Sequence, residues 1–128
     1  MRIPILVAAA LAATMPFTYA ENYVGGAIKS VENAGGKILT DAKDMTLYIF
    51  DKDTAGVTNC YDTCAENWPP LIAASGAAAE GEFTLVQRKD GSMQWAYKGM
   101  PLYLWKNDKK PGDVTGDGVG GVWHLAKE

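Results

Sequence analysis

Cys60 and Cys64 are the only cysteines in the chain, and His124 is its only histidine. Two chemistries suit that set. In an oxidising compartment a lone close pair forms a disulfide. Residues four apart on a regular helix sit near the upper limit of disulfide Cα spacing, with poorly aimed Cβ vectors. Cys60 is therefore expected to precede any helical turn, and so small a ring would contribute about 2 kcal/mol. The other chemistry is copper binding, with two thiolates and the His124 imidazole as ligands and Met45, Met93 and Met100 as possible thioethers. A structural Cys60–Cys64 disulfide is the expected reading, and copper is the alternative.

Other patterns carry less. Asp51, Asp53, Gly56 and Asp62 imitate a calcium loop, but the oxygen ligand at the fifth position, the closing Glu and the flanking helices are missing. Gly116, Gly118 and Gly121 spell a dinucleotide fingerprint with no helix after it to hold a pyrophosphate. One histidine without a matched Ser or Asp constellation gives no nucleophilic triad. No residue set nominates an enzyme, and no cofactor is expected.

The elements that position these residues are written twice. Thr46-Leu-Tyr-Ile-Phe-Asp-Lys-Asp53 returns as Pro101-Leu-Tyr-Leu-Trp-Lys-Asn-Asp108 at an offset of 55. The same offset carries Val31 onto Val86, Gly36 onto Gly91, Met45 onto Met100, Asp62 onto Asp117 and Trp68 onto Trp123, without a gap from Ile28 to Leu71. Such self-similarity predicts two copies of one supersecondary unit, residues 28–71 and 83–126.

Residues 1–20 have the layout of a secretory signal peptide: Arg2, an apolar run from Ile3 to Ala13, and small residues before a cut after Ala20. That run is too short to span a membrane. Residues 21–128 then form one domain, its side chains mildly acidic because 15 carboxylates outnumber the basic groups. This balance, with no basic run, argues against nucleic acid or an anionic membrane as partner.

Helical periodicity is nearly absent from the mature chain. Short β-branched and aromatic runs alternate with Gly and Asp turns, which predicts a three-stranded meander in each repeat. The third strand is apolar on both faces, Leu47 and Ile49 opposing Tyr48 and Phe50, so it belongs at the centre. The fold class is therefore all-β: two pseudo-symmetric meanders packed as a small sandwich or barrel. A long loop and a tryptophan follow each central strand. In the first loop, Asp62 to Trp68 is expected to form a helical turn capped by Asp62 and ended by Pro69. The aromatics concentrate in the equivalent regions, as two core clusters or as a candidate ligand face formed by Trp68, Trp123 and Tyr97.

Tyr48-x-Phe50-x-x-Asp53 and Tyr103-x-Trp105-x-x-Asp108 resemble the paired Y-x-(F/W/Y)-x-x-D motifs of a bacterial secreted-repeat family of predicted lipoproteins. Cys60, Cys64-Ala65, Trp68-Pro69-Pro70-Leu71, Gln94-Trp95, Gly99-x-Pro101 and Pro111-Gly112-Asp113 are similar to the same family, in order, over nearly all of the mature chain. The resemblance implies a bacterial cell-envelope protein and lends no settled activity. Without a cysteine near the cleavage point, the expected form is unlipidated, periplasmic or secreted. The expected role is a non-catalytic envelope module binding an unknown envelope protein or small ligand. The alternative is a copper or electron-transfer accessory using Cys60, Cys64 and His124.

Overall fold

The computed structural model describes residues 21–128, so the signal-peptide expectation for residues 1–20 lies outside the described residues. The first half contains β1 (Glu21–Tyr23), β2 (Ile28–Asn33), β3 (Gly36–Asp41), β4 (Tyr48–Phe50) and a short helix α1 (Thr63–Asn67). The second contains β5 (Phe83–Gln87), β6 (Met93–Tyr97), β7 (Met100–Pro101) and β8 (Trp123–Leu125). The described residues are all-β apart from α1 and two short 3-10 turns, Val24–Gly26 and Val119–Gly121.

The two halves correspond, but not without gaps. Ile28 faces Asp41 in the first hairpin, and Phe83 faces Tyr97 in the second. So β2 and β5 keep the offset of 55, while β3 and β6 stand 56 apart. The cause is a compensated exchange of turn lengths. The first turn is the two-residue Ala34–Gly35 in one copy and the three-residue Lys89–Gly91 in the other. The second turn is the three-residue Ala42–Asp44 in one copy and the two-residue Lys98–Gly99 in the other. Gly36 therefore corresponds to Ser92. The glycines that match are Gly35 and Gly91, whose φ angles of 82° and 91° a side chain would strain.

The expected third strand of each meander leaves its own hairpin almost at once. The Leu47 N–H donates to the Leu39 carbonyl, and the Leu102 N–H to the Trp95 carbonyl. Beyond these bonds Tyr48 and Tyr103 pair with each other, exchanging N–H···O bonds of 2.8 and 3.0 Å. Their other edges take the return segment of the opposite half. β8 pairs with β4, while Pro70 bridges Tyr103 and the Leu104 N–H donates to the Pro69 carbonyl. The halves are thus crossed about a pseudo-twofold axis at Tyr48 and Tyr103.

Bonds from Leu39 to Ala126 and from Trp95 to Leu71 tie the hairpins to these returns. Pairing therefore runs from β1 to β5 through the centre, and among the described residues no strand pairing joins the two ends. The result is an open, coiled sandwich rather than a closed barrel. Central-strand alternation divides the interior in two. Leu47 and Leu102 pack with Ile28, Leu39, Phe83 and Trp95 between the hairpins. Tyr48, Phe50 and Tyr103 pack with Cys60, Trp68, Trp123 and Leu125 beneath the long loops.

Candidate functional site

The repeated motif is spent on the protein's own interior. A turn after each central strand, closed by Asp53 N–H to the Phe50 carbonyl and Asp108 N–H to the Trp105 carbonyl, aims each Asp inward. The acceptor chosen by each tyrosine lies in the other repeat. The Tyr48 hydroxyl donates to Asp108 Oδ2 and the Tyr103 hydroxyl to Asp53 Oδ2, both at 2.6 Å. Asp53 Oδ1 also accepts from the Asn59 N–H at 2.7 Å, and Asp108 Oδ1 from the Thr115 N–H at 3.0 Å. Both tyrosines are fully buried. Burial, then the facing carboxylate, pushes both phenols far above their ordinary range. Burial also raises Asp53, opposed by the bonds from Tyr103 and Asn59 and by the charge of Arg88.

One polar network has no counterpart in the first half. Arg88 is buried, and its Nη1 donates to Gln94 Oε1 at 2.7 Å and to Thr58 Oγ1 at 3.3 Å. Its Nη2 donates to the Cys60 carbonyl at 2.8 Å, and its guanidinium lies 4.5 Å from the Tyr61 ring centroid. Thr58 and the Tyr103 hydroxyl share a 2.5 Å bond, which joins this network to the motif. The hairpin register pairs Arg88 with Asn33 and Gln94 with Ile38. Reading only what repeats passes over all three side chains. The available signal was a departure from the repeat: a charged residue where its partner is neutral.

The aromatic residues form one pile of four rings. Phe50 stacks on Trp123 at 4.1 Å, Trp123 on Trp68 at 3.8 Å, and Trp68 on Trp105 at 3.9 Å. The order is palindromic under the pseudo-twofold, since Phe50 corresponds to Trp105 and Trp68 to Trp123. Gly116 closes against it. A Cβ there would lie 2.9 Å from both Trp68 Cη2 and Tyr48 Cζ, so packing alone requires a glycine at this position.

The candidate ligand face is divided. Trp68 and Trp123 are each only 4% exposed, inside the pile. Tyr97 lies with Tyr23 and Phe83 in a separate cluster, the Tyr23–Phe83 and Phe83–Tyr97 ring centroids each 5.0 Å apart. These three rings, with Glu80, Glu82 and Glu128, line an open recess of about 270 Å³. The Tyr23 hydroxyl donates to Glu128. Lys98 Nζ stands 5.3 Å from the Tyr97 centroid and 3.9 Å from Glu82.

Cys60 and Cys64 form a disulfide with a Cα separation of 5.2 Å. Cys60 lies outside α1 and Cys64 within it, as the helical geometry requires. Asp62 does occupy the N-cap position, but with φ of 57° and no side-chain capping bond. The His124 ring bonds Asp51 Oδ2 at 2.8 Å on the surface. Among the described residues no three His, Cys, Asp or Glu side chains converge as a metal set would. Met45, Met93 and Met100 are half-buried beside the hairpin turns.

A family model described as a secreted repeat of unknown function matches residues 29–72 and again 84–127. No curated protein and no solved structure matches the chain. No helix among the described residues is long and apolar enough to cross a membrane.

Proposed function

We propose, from the premise that this chain belongs to the secreted-repeat family, that it is a non-catalytic binding module of the cell envelope. Its recess at Tyr97 takes a cationic group. The crossed tyrosine–aspartate pairs support a scaffold role for the motif itself, because their polar atoms already satisfy one another. The recess carries the binding reading. Aromatic rings and carboxylates together suit an ammonium group, which gains from ring quadrupoles and from charge. Lys98 beside Tyr97 is an internal instance of that contact. Among the described residues Glu80 and Glu128 have no basic partner, so charge is left for a guest. The signal-peptide layout of residues 1–20 supports export to the periplasm or out of the cell, and cell fractionation checks which.

Titration with choline chloride, followed by amide and aromatic NMR shifts, tests the recess. Saturable shifts are expected at Tyr97, Lys98 and Glu82, and they should vanish in Tyr97→Ala. If choline leaves these resonances unmoved in a folded sample, the cationic reading is wrong. Family membership gives no separate support to a copper role.

A further inference from the structure

The pseudo-twofold that relates the halves also fails at the two ends of the strand ladder. β2 and β5 are equivalent strands, and each offers one edge to its own hairpin. On its other edge β2 is paired by β1, Glu21 facing Ser30 and Tyr23 facing Ile28. β5 receives only the start of such cover. Glu80 and Phe83 exchange N–H···O bonds of 2.8 and 2.9 Å, and the chain then leaves.

The remaining edge can be deduced bond by bond. The Arg88 N–H donates to the Ser92 carbonyl, so residues 88, 86 and 84 direct their backbone groups towards β6. Leu85 and Gln87 therefore point theirs away. Their partners across β6 agree: Trp95 and Met93 bond outward, to Leu71, Leu102 and Ala73. Among the described residues, no backbone bond to the N–H or C=O of Leu85 and Gln87 is found.

The side chains sharpen this asymmetry. Natural edges are blunted with charge or proline. The covered strand β2 carries Lys29 and Glu32, whereas β5, uncovered at Leu85 and Gln87 among the described residues, reads Phe-Thr-Leu-Val-Gln with neither. Thr84 and Gln87 are exposed. We propose that β5 is a docking edge for a second copy of this chain, the two β5 strands pairing antiparallel about Val86. Only a register with Leu85 opposite Gln87 of the other copy uses both outward residues, since Phe83 is already engaged by Glu80. It forms four backbone bonds, and no charge lies between Thr84 and Gln87 to repel its own image. The role β1 plays for β2 is then played for β5 by its twin.

Sedimentation of the exported chain against concentration tests this, alongside Gln87→Pro and Gln87→Lys. Proline at 87 removes an outward N–H and spares the β6 ladder, and lysine sets like charges beside the dyad. The parent should reach twice the monomer mass with rising concentration. Each variant should raise the dissociation constant at least about tenfold, with the near-ultraviolet signal of the tryptophan pile retained. A parent that stays monomeric up to about 1 mM, well weaker than stable interfaces, overturns the proposal. So does a dimer that both folded variants leave unchanged.

Discussion

A tyrosine and an aspartate five positions apart occur twice, and each finds its partner in the other copy. Removing one hydroxyl strands a buried carboxylate, so Tyr103→Phe should cost about 1–3 kcal/mol in urea unfolding. A smaller loss would mean that water replaces the bond. Asp53 makes a prediction of unusual sign. Burial holds it above its ordinary value of 3.8, so the folded state binds its proton more tightly than the unfolded chain. Its contribution to stability is complete below that value and is lost as pH rises through the folded pKa. The advantage of the parent over Asp53→Asn should therefore shrink as pH rises from below 3.8 through the raised pKa of the folded state. An advantage that grows would show the ionised form to be favoured. The sequence displayed both motif residues and concealed their pairing, because a regular offset is the same for bonds within a copy and between copies. It concealed the network of Arg88 and Thr58 with Gln94 for the opposite reason: these residues break the repeat, and Gln94 showed only as part of the family resemblance.

At the scale of elements, short β runs, their turns and the helical turn near Cys64 were legible. The shift of β3 against β6 was not, since one turn gains a residue and the next loses one, leaving the flanking identities in phase. The third strands do begin as meander members, β7 pairing with β6 and Thr46 bridging Thr40; their crossing to the other copy was not legible, because apolar alternation marks burial on two faces without naming the second neighbour. The disulfide is the element whose energetics are most local. Replacing Cys60 and Cys64 together by Ser should lower stability by about 2 kcal/mol. Cys60 is fully buried, so a thiol reagent added with mild reductant should label the native protein slowly and the unfolded chain at once. Rapid labelling without unfolding would show that the loop opens by itself.

For the whole molecule, the pile from Phe50 to Trp105 is where the halves hold each other. Trp68→Ala and Trp123→Ala should each cost about 3–5 kcal/mol, because each leaves a cavity between two stacked rings. Thermal melts that matched the parent's would place that ring outside the core. The two costs should be similar despite the different loops around them, since both rings stand at the centre of a palindrome. The crossed returns have a further consequence. Each half borrows its neighbour's return strand, its acceptor carboxylate and its inner tryptophan, so neither can fold as a free-standing fragment. Cut in the stretch from Ala73 to Gly81 and separated, the pieces should be two unstructured peptides; mixed, they should rebuild the fold with second-order kinetics. The linker works as a tether, turning what would be an encounter between two molecules into a closure within one.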